Sequence, residues 1–201
     1  EEVANDTKKA LDIIENIIGE KVIAYRAPAF SITEKTKWII KILVDNGIEY
    51  DCSIFPASRR FGGFPNFNRD TPCMIDYHGI KIKEFPMSVT RMWRKEIAYS
   101  GGGYFRLFPY KTIKSLVKKN DYVMTYFHIK DFDKEQKRFY RSFEDDSAFL
   151  NYFKSYYGIR NSFSKFKKFL GDFNFISVEQ AANAIDWDKV PIVNINVSPH
   201  L

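Results

Sequence analysis

The stretch Val22-Ile23-Ala24-Tyr25-Arg26-Ala27-Pro28-Ala29-Phe30-Ser31 decides how the rest of the chain is read. Four apolar residues read as a short strand, and an arginine follows with a proline two positions on. Proline cannot donate to a ladder, so it ends a strand or sits at its edge. The residue before it is pushed towards extended geometry. Arg26 is thereby held on a stiff segment at a strand exit, where α/β proteins tend to carry their chemistry. Taken alone, the same three residues also read as a strand-ending proline beside a surface arginine.

Working outward, apolar positions Val3, Ala10, Leu11, Ile14, Ile17 and Ile18 recur at helical spacing and Gly19 supplies a stop. Downstream, Thr33 reads as the cap of a helix burying Trp38, Ile39, Ile42 and Leu43, ended by Asn46-Gly47. Residues 48–55 then read as a strand closed by Pro56. This β-α-β rhythm with short connections predicts a parallel sheet or barrel. Residues 56–78 have no period and read as a long loop, and residues 80–90 alternate as a strand. A helix is expected from Pro109 to Lys119, with proline in its first turn. Tyr122-Val123-Met124-Thr125-Tyr126-Phe127 reads as the strongest strand and delivers His128. Helices over 146–156 and 161–170, the latter stopped by Gly171, a strand over Phe173–Val178 and a helix over Glu179–Ile185 complete the pattern. No repeat or linker interrupts it, so a single domain over residues 1–201 is expected.

A chain of 201 residues buries roughly 70% of its unfolded surface. Hydrophobic residues at 45% and charged ones at 28% place it among soluble globular proteins. The formal charge of +6 is dispersed, with Arg59-Arg60, Lys118-Lys119 and Lys165–Lys168 as the densest groups, so no nucleic-acid partner is expected. The aromatic content of 17% suits either a Phe-packed core or a sugar-binding cleft. Cys52 and Cys73 make neither a disulfide framework nor a zinc cluster and point to a reducing compartment. No uninterrupted apolar run approaches the about 18 residues of a membrane span. With no export signal either, a cytoplasmic location is favoured. The chain opens on Glu1 in mid-helix, which reads as a truncated start.

Chemistry-bearing candidates are few. Of three histidines, His200 is near the end and His78 lies in a Tyr-His-Gly turn. His128, at the end of an apolar run, reads either as a semi-buried structural residue or as an acid–base group. Gly101-Gly102-Gly103 lacks the spacing of a phosphate loop and reads as a place of close backbone approach. Tyr104 and Arg106 after it could offer a saccharide a stacking face and a charged donor, or could be packed ring and surface arginine. Asp131, Asp133, Glu144, Asp145 and Asp146 offer no pair singled out for glycoside cleavage.

Five segments taken in order, residues 25–31, Tyr50-Asp51-Cys52-Ser53-Ile54-Phe55-Pro56, Glu84-Phe85-Pro86, Ser100–Arg106 and Tyr126-Phe127-His128, resemble the NodB-type polysaccharide deacetylases of carbohydrate esterase family 4. The branch they are most similar to is associated with exopolysaccharide biosynthesis. The resemblance implies a distorted (β/α)7-type barrel, here partial because its first strands are absent. It implies a hydrolase that removes acetyl groups, N-acetyl foremost, from a surface or extracellular polysaccharide, with a non-catalytic carbohydrate-binding relative as the alternative. By the same resemblance Arg26 orients the catalytic base, His128 protonates the leaving amine and Asp51 fixes His128. Phe30, Tyr104 and Arg106 are expected to face the sugar. The family's divalent metal, usually zinc, sits on an aspartate and a His-x-x-x-His segment. No Thr-Phe-Asp-Asp-like strand and no His-x-x-x-His occurs in these 201 residues, so no metal ligand is assigned and a metal is expected only where such a segment lies upstream.

Overall fold

In the computed structural model, residues 1–59, 61–92, 95–136, 152–153 and 156–196 are described. The chain forms two compact units, one of Glu1–Ser88, Arg94–Glu96 and Ile185–Leu201, the other of Val89–Trp93 and Ile97–Ala184.

The first unit is a mixed α/β layer rich in parallel pairs. Helix α1 (Glu2–Ile18) ends at Gly19, whose φ of 75° takes the left-handed cap that glycine adopts without strain. Strand β1 (Ala24–Tyr25), helix α2 (Ile39–Asp45) and strand β2 (Tyr50–Asp51) follow. A hairpin of β3 (Cys73–Tyr77) and β4 (Ile80–Glu84) comes next, and β7 (Ile192–Asn194) closes the sheet. The strand order is β1-β2-β4-β3-β7. β1–β2, β2–β4 and β3–β7 run parallel, and only β3–β4 is antiparallel. Ile32, Ile40, Leu43, Ile54, Ile75 and Ile82 fill the core against the sheet. Lys37 is drawn into it, donating through Nζ to the Ile195 carbonyl at 2.6 Å.

The second unit is built on aromatic packing. Its named helices are α3 (Gly102–Leu107), α4 (Tyr110–Val117), α5 (Ile159–Asp172) and α6 (Val178–Ala184). Short strands β5 (Thr90–Met92) and β6 (Lys95–Ile97) lie where the chain passes from one unit to the other. Phe105 meets Phe127 at 4.9 Å and Phe169 at 5.4 Å, and Phe127 meets Phe166 at 4.9 Å. Tyr99, Ile113 and Val117 complete the cluster. Lys165 closes the end of α3, donating to the carbonyls of Phe105, Arg106 and Phe108 at 3.0, 3.0 and 2.7 Å.

The structure departs from the sequence reading at identifiable places. Part of the expected loop 56–78 is β3, with Cys73 and Ile75 fully buried. Its turn places His78 and Gly79 at φ of 53° and 82°, as a two-residue hairpin turn with both centres left-handed requires. Residues 122–127 form no named strand. Their apolar character serves ring packing, and pairing is limited to one bridge between Gly101 and Tyr126. Thr33 caps a turn rather than α2, accepting from Lys35 N–H at 3.2 Å. Trp38 is exposed, and Ile40 takes the buried place instead. α5 runs through Gly171 to Asp172, and residues 174–177 form no strand; the last strand is β7. The glycine triplet opens α3. Most of the helix expected over 146–156 lies outside the described residues.

Candidate functional site

Three neighbouring parallel strands end together in the first unit. Arg26 follows the last residue of β1, Asp51 is the last residue of β2 and Glu84 the last of β4. Register pairs Tyr25 with Asp51, and Asp51 with Glu84. Carboxyl ends of parallel strands are where open α/β sheets bind ligands.

A hydrogen-bonded relay ties these ends to one another. Arg26 donates through Nε to the Cys52 carbonyl at 3.1 Å. The Ala27 N–H donates to Ser53 Oγ at 2.7 Å, and Ser53 Oγ donates to Asp51 Oδ1 at 2.5 Å. The Ile54 N–H donates to Glu84 Oε1 at 3.1 Å. Asp51, Ser53 and Glu84 are all fully shielded from solvent. Burial, and then the Asp51 charge, hold the Glu84 carboxyl well above the usual carboxylate range. Burial also raises Asp51, although hydrogen bonds from Glu84, Ser53 and the backbone of Cys52 and Ser53 pull it back. Burial pushes the Cys52 thiol up to about 11 and the Cys73 thiol up to about 12, so both are neutral at physiological pH.

The turn carrying Arg26 is strained. Ala29 and Phe30 sit at φ of 55° and 56°, a region that non-glycine residues occupy at a cost of order 1–3 kcal/mol each. Such outliers persist only where surroundings over-determine them. Here the Gly63 N–H donates to the Phe30 carbonyl at 3.0 Å, and a Cβ on Gly62 would overlap the Ala29 and Phe30 carbonyls. The Phe30 ring is buried edge-on against Phe55 at 5.3 Å. Arg59 lies 4.5 Å from the Phe55 centroid and 5.1 Å from that of Phe30, while Arg26 lies 5.8 Å from Phe30. Two guanidinium groups therefore meet one aromatic pair, a face suited to an anionic or polar ligand.

In the second unit, His128 is exposed at the start of a short 3-10 turn, not the semi-buried residue that one reading of the sequence expects. Its N–H donates to Asp131 Oδ2 at 2.9 Å, and the Asp131 N–H donates to its carbonyl at 2.8 Å. Arg106, read from the sequence as a donor to sugar, is buried, with Nε 3.4 Å from Asp131 Oδ1. Asp131 thus links the Arg106 guanidinium to the His128 backbone. Tyr104 remains exposed and stacks on Phe108 at 5.9 Å. Gly101 and Gly102 are needed for the close approach of Tyr126: a Cβ on Gly101 would overlap its carbonyl and ring, and one on Gly102 its hydroxyl and ring.

Arg26, Asp51 and Phe30 fall in the first unit, and His128, Tyr104 and Arg106 in the second. Sequence reasoning gave no site role to Glu84, Ser53 or Arg59, and weighed Asp131 only as a carboxylate for glycoside cleavage. Glu84-Phe85-Pro86 contributed only to a resemblance, and the alternation around it hides that this glutamate points inward. Among the described residues, no group of three His, Cys, Asp or Glu side chains is gathered to hold a metal ion, and no helix is long and apolar enough to cross a membrane. A family model described as a domain of unknown function (DUF3473) matches residues 52–183. No curated protein and no solved structure matches the chain.

Proposed function

The chain belongs to this DUF3473 family, and from that premise we propose that it is part of a NodB-type polysaccharide deacetylase built on a distorted (β/α) barrel. Its reaction is hydrolysis of acetyl groups, N-acetyl foremost, from a sugar of a surface or extracellular polysaccharide. The observation that carries this reading is the Arg26–Phe30 turn. It is a strained segment at the end of β1, bonded to the end of β2 beside Glu84 at the end of β4.

In the reaction, water adds to the acyl carbon, the C–N bond breaks, and acetate and a free amine leave. The amine is a poor leaving group unless protonated. His128 delivers that proton, a role worth about 10²–10⁴ in rate for a positioned general acid. Asp131 fixes the backbone of His128, and Arg106 fixes Asp131. Arg26, anchored through Nε, orients the group that deprotonates water. In the family it resembles, a divalent metal supplies activation of that water. Among the described residues no side chains gather to hold a metal ion, and the sequence has neither an Asp-Asp strand of that type nor a His-x-x-x-His segment. No step is assigned to a metal.

Acetate release from N-acetylated glucosamine oligomers by the full-length polypeptide tests the reading. Release of acetate with stoichiometric free amine is the expected result. Saccharide binding with no acetate, unchanged in His128→Ala, would instead mark a carbohydrate-binding relative and end the enzymatic reading.

A further inference from the structure

We propose that Glu84 is a positioning residue: held as a carboxylic acid, it donates its proton to the Asp51 carboxylate, and the pair shares one negative charge that Ser53 couples to the Arg26–Pro28 turn. The proposal rests on the deacetylase reading only where it assigns Arg26 to the reaction. The protonated pair stands without it.

The backbone places the two groups together. Asp51 and Glu84 are register partners on parallel strands β2 and β4, so their side chains leave the sheet on the same face. Both are fully shielded. Each has one oxygen committed, Asp51 Oδ1 to Ser53 Oγ and Glu84 Oε1 to the Ile54 N–H. The remaining oxygens, Asp51 Oδ2 and Glu84 Oε2, are buried with no other partner, and the two carboxyl groups are close enough to hydrogen-bond. Two carboxylates cannot both ionise in such a place, because like charges at contact in a shielded site raise one another strongly. One proton between them satisfies both orphaned oxygens.

The proton belongs to Glu84. Asp51 receives the Ser53 hydroxyl and backbone bonds from Cys52 and Ser53, which favour its charged form, whereas Asp51 itself disfavours charge on Glu84. The other titratable groups around the pair are the thiols of Cys52 and Cys73, both neutral, and the Tyr25 phenol beside Asp51. Arg26 is the nearby cation, acting on Cys52. From Asp51 the order passes through Ser53 to the Ala27 N–H, next to Arg26.

Linkage gives the sign. The unfolded glutamate loses its proton above its ordinary value of 4.5, while the folded one keeps it. Stability from this proton is full below that value and is lost as pH rises towards the folded one. The folding equilibrium constant then falls by up to about tenfold per pH unit. Infrared spectroscopy of the full-length protein at neutral pH should show a protonated-carboxyl band that is missing in Glu84→Gln. Urea unfolding should show the wild type losing stability with rising pH more steeply than Glu84→Gln. Hydrogen exchange at the Ile54 and Ala27 N–H groups should rise at least tenfold in Glu84→Ala and return towards wild type in Glu84→Gln, whose amide keeps both bonds. No such band in the wild type, a reading that needs no variant, would overturn the proposal. So would identical pH slopes in wild type and Glu84→Gln. A band without any acetate release leaves the pair intact and removes the deacetylase reading; acetate release without a band does the reverse.

Discussion

At the scale of single residues, the strained pair Ala29–Phe30 and the glycines that hold it are the most exacting feature. Gly62 sits at φ of 70°, and any Cβ there would meet the carbonyls of the strained turn. Gly62→Ala should therefore destabilise the first unit by about 1–3 kcal/mol or more, both by forced φ and by displacement of the Arg26 turn. Urea unfolding would measure the loss, and an unchanged midpoint would show that the turn gives way freely. Arg26 was legible because proline punctuates a strand wherever it occurs. Glu84 was not, because a glutamate in an alternating strand looks solvated until sheet pairing sets Asp51 beside it. Arg106 shows the converse. Its position after a glycine run suggested display, yet it is held inside by Asp131, a contact that no local pattern encodes.

At the scale of elements, helices with a clear apolar period were readable and short strands were not. α1 and α4 follow the spacing of their apolar residues. β1 and β2 are two residues each, so pairing depends on neighbours more than on intrinsic preference. β3 was hidden behind a run of glycine and proline, although its buried Cys73 and Ile75 alternate as a strand should. Ile75→Ala, at a fully shielded position of this strand, should cost about 2–5 kcal/mol. The apolar run 122–127 misled because rings such as Phe127 are satisfied by Phe105 and Phe166 rather than by a ladder. Lys165 makes the second unit's clearest element-level test. Its half-buried ammonium donates to three carbonyls at the end of α3. Hydrogen bonds to charged groups are worth about 1.5–3 kcal/mol, so Lys165→Met should destabilise α3 measurably by hydrogen exchange. Protection of α3 amides equal to wild type would deny Lys165 that capping role.

At the scale of the whole molecule, class was readable and detail was not. Alternating strands and helices gave a mixed α/β chain with a parallel-rich sheet, and both units follow separate cores, one aliphatic and one aromatic. The dispersed charge of +6 gives no continuous patch in the sequence for a polyanion. The proposed chemistry asks one thing of His128: a proton for the leaving group. The most direct measurement compares two substrates in the full-length protein, an N-acetylated oligosaccharide and an aryl acetate whose phenolate leaves unprotonated. His128→Ala should lose about 10²–10⁴ in kcat on the amide and little on the aryl ester. Equal loss on both substrates, or none on the amide, would contradict the account.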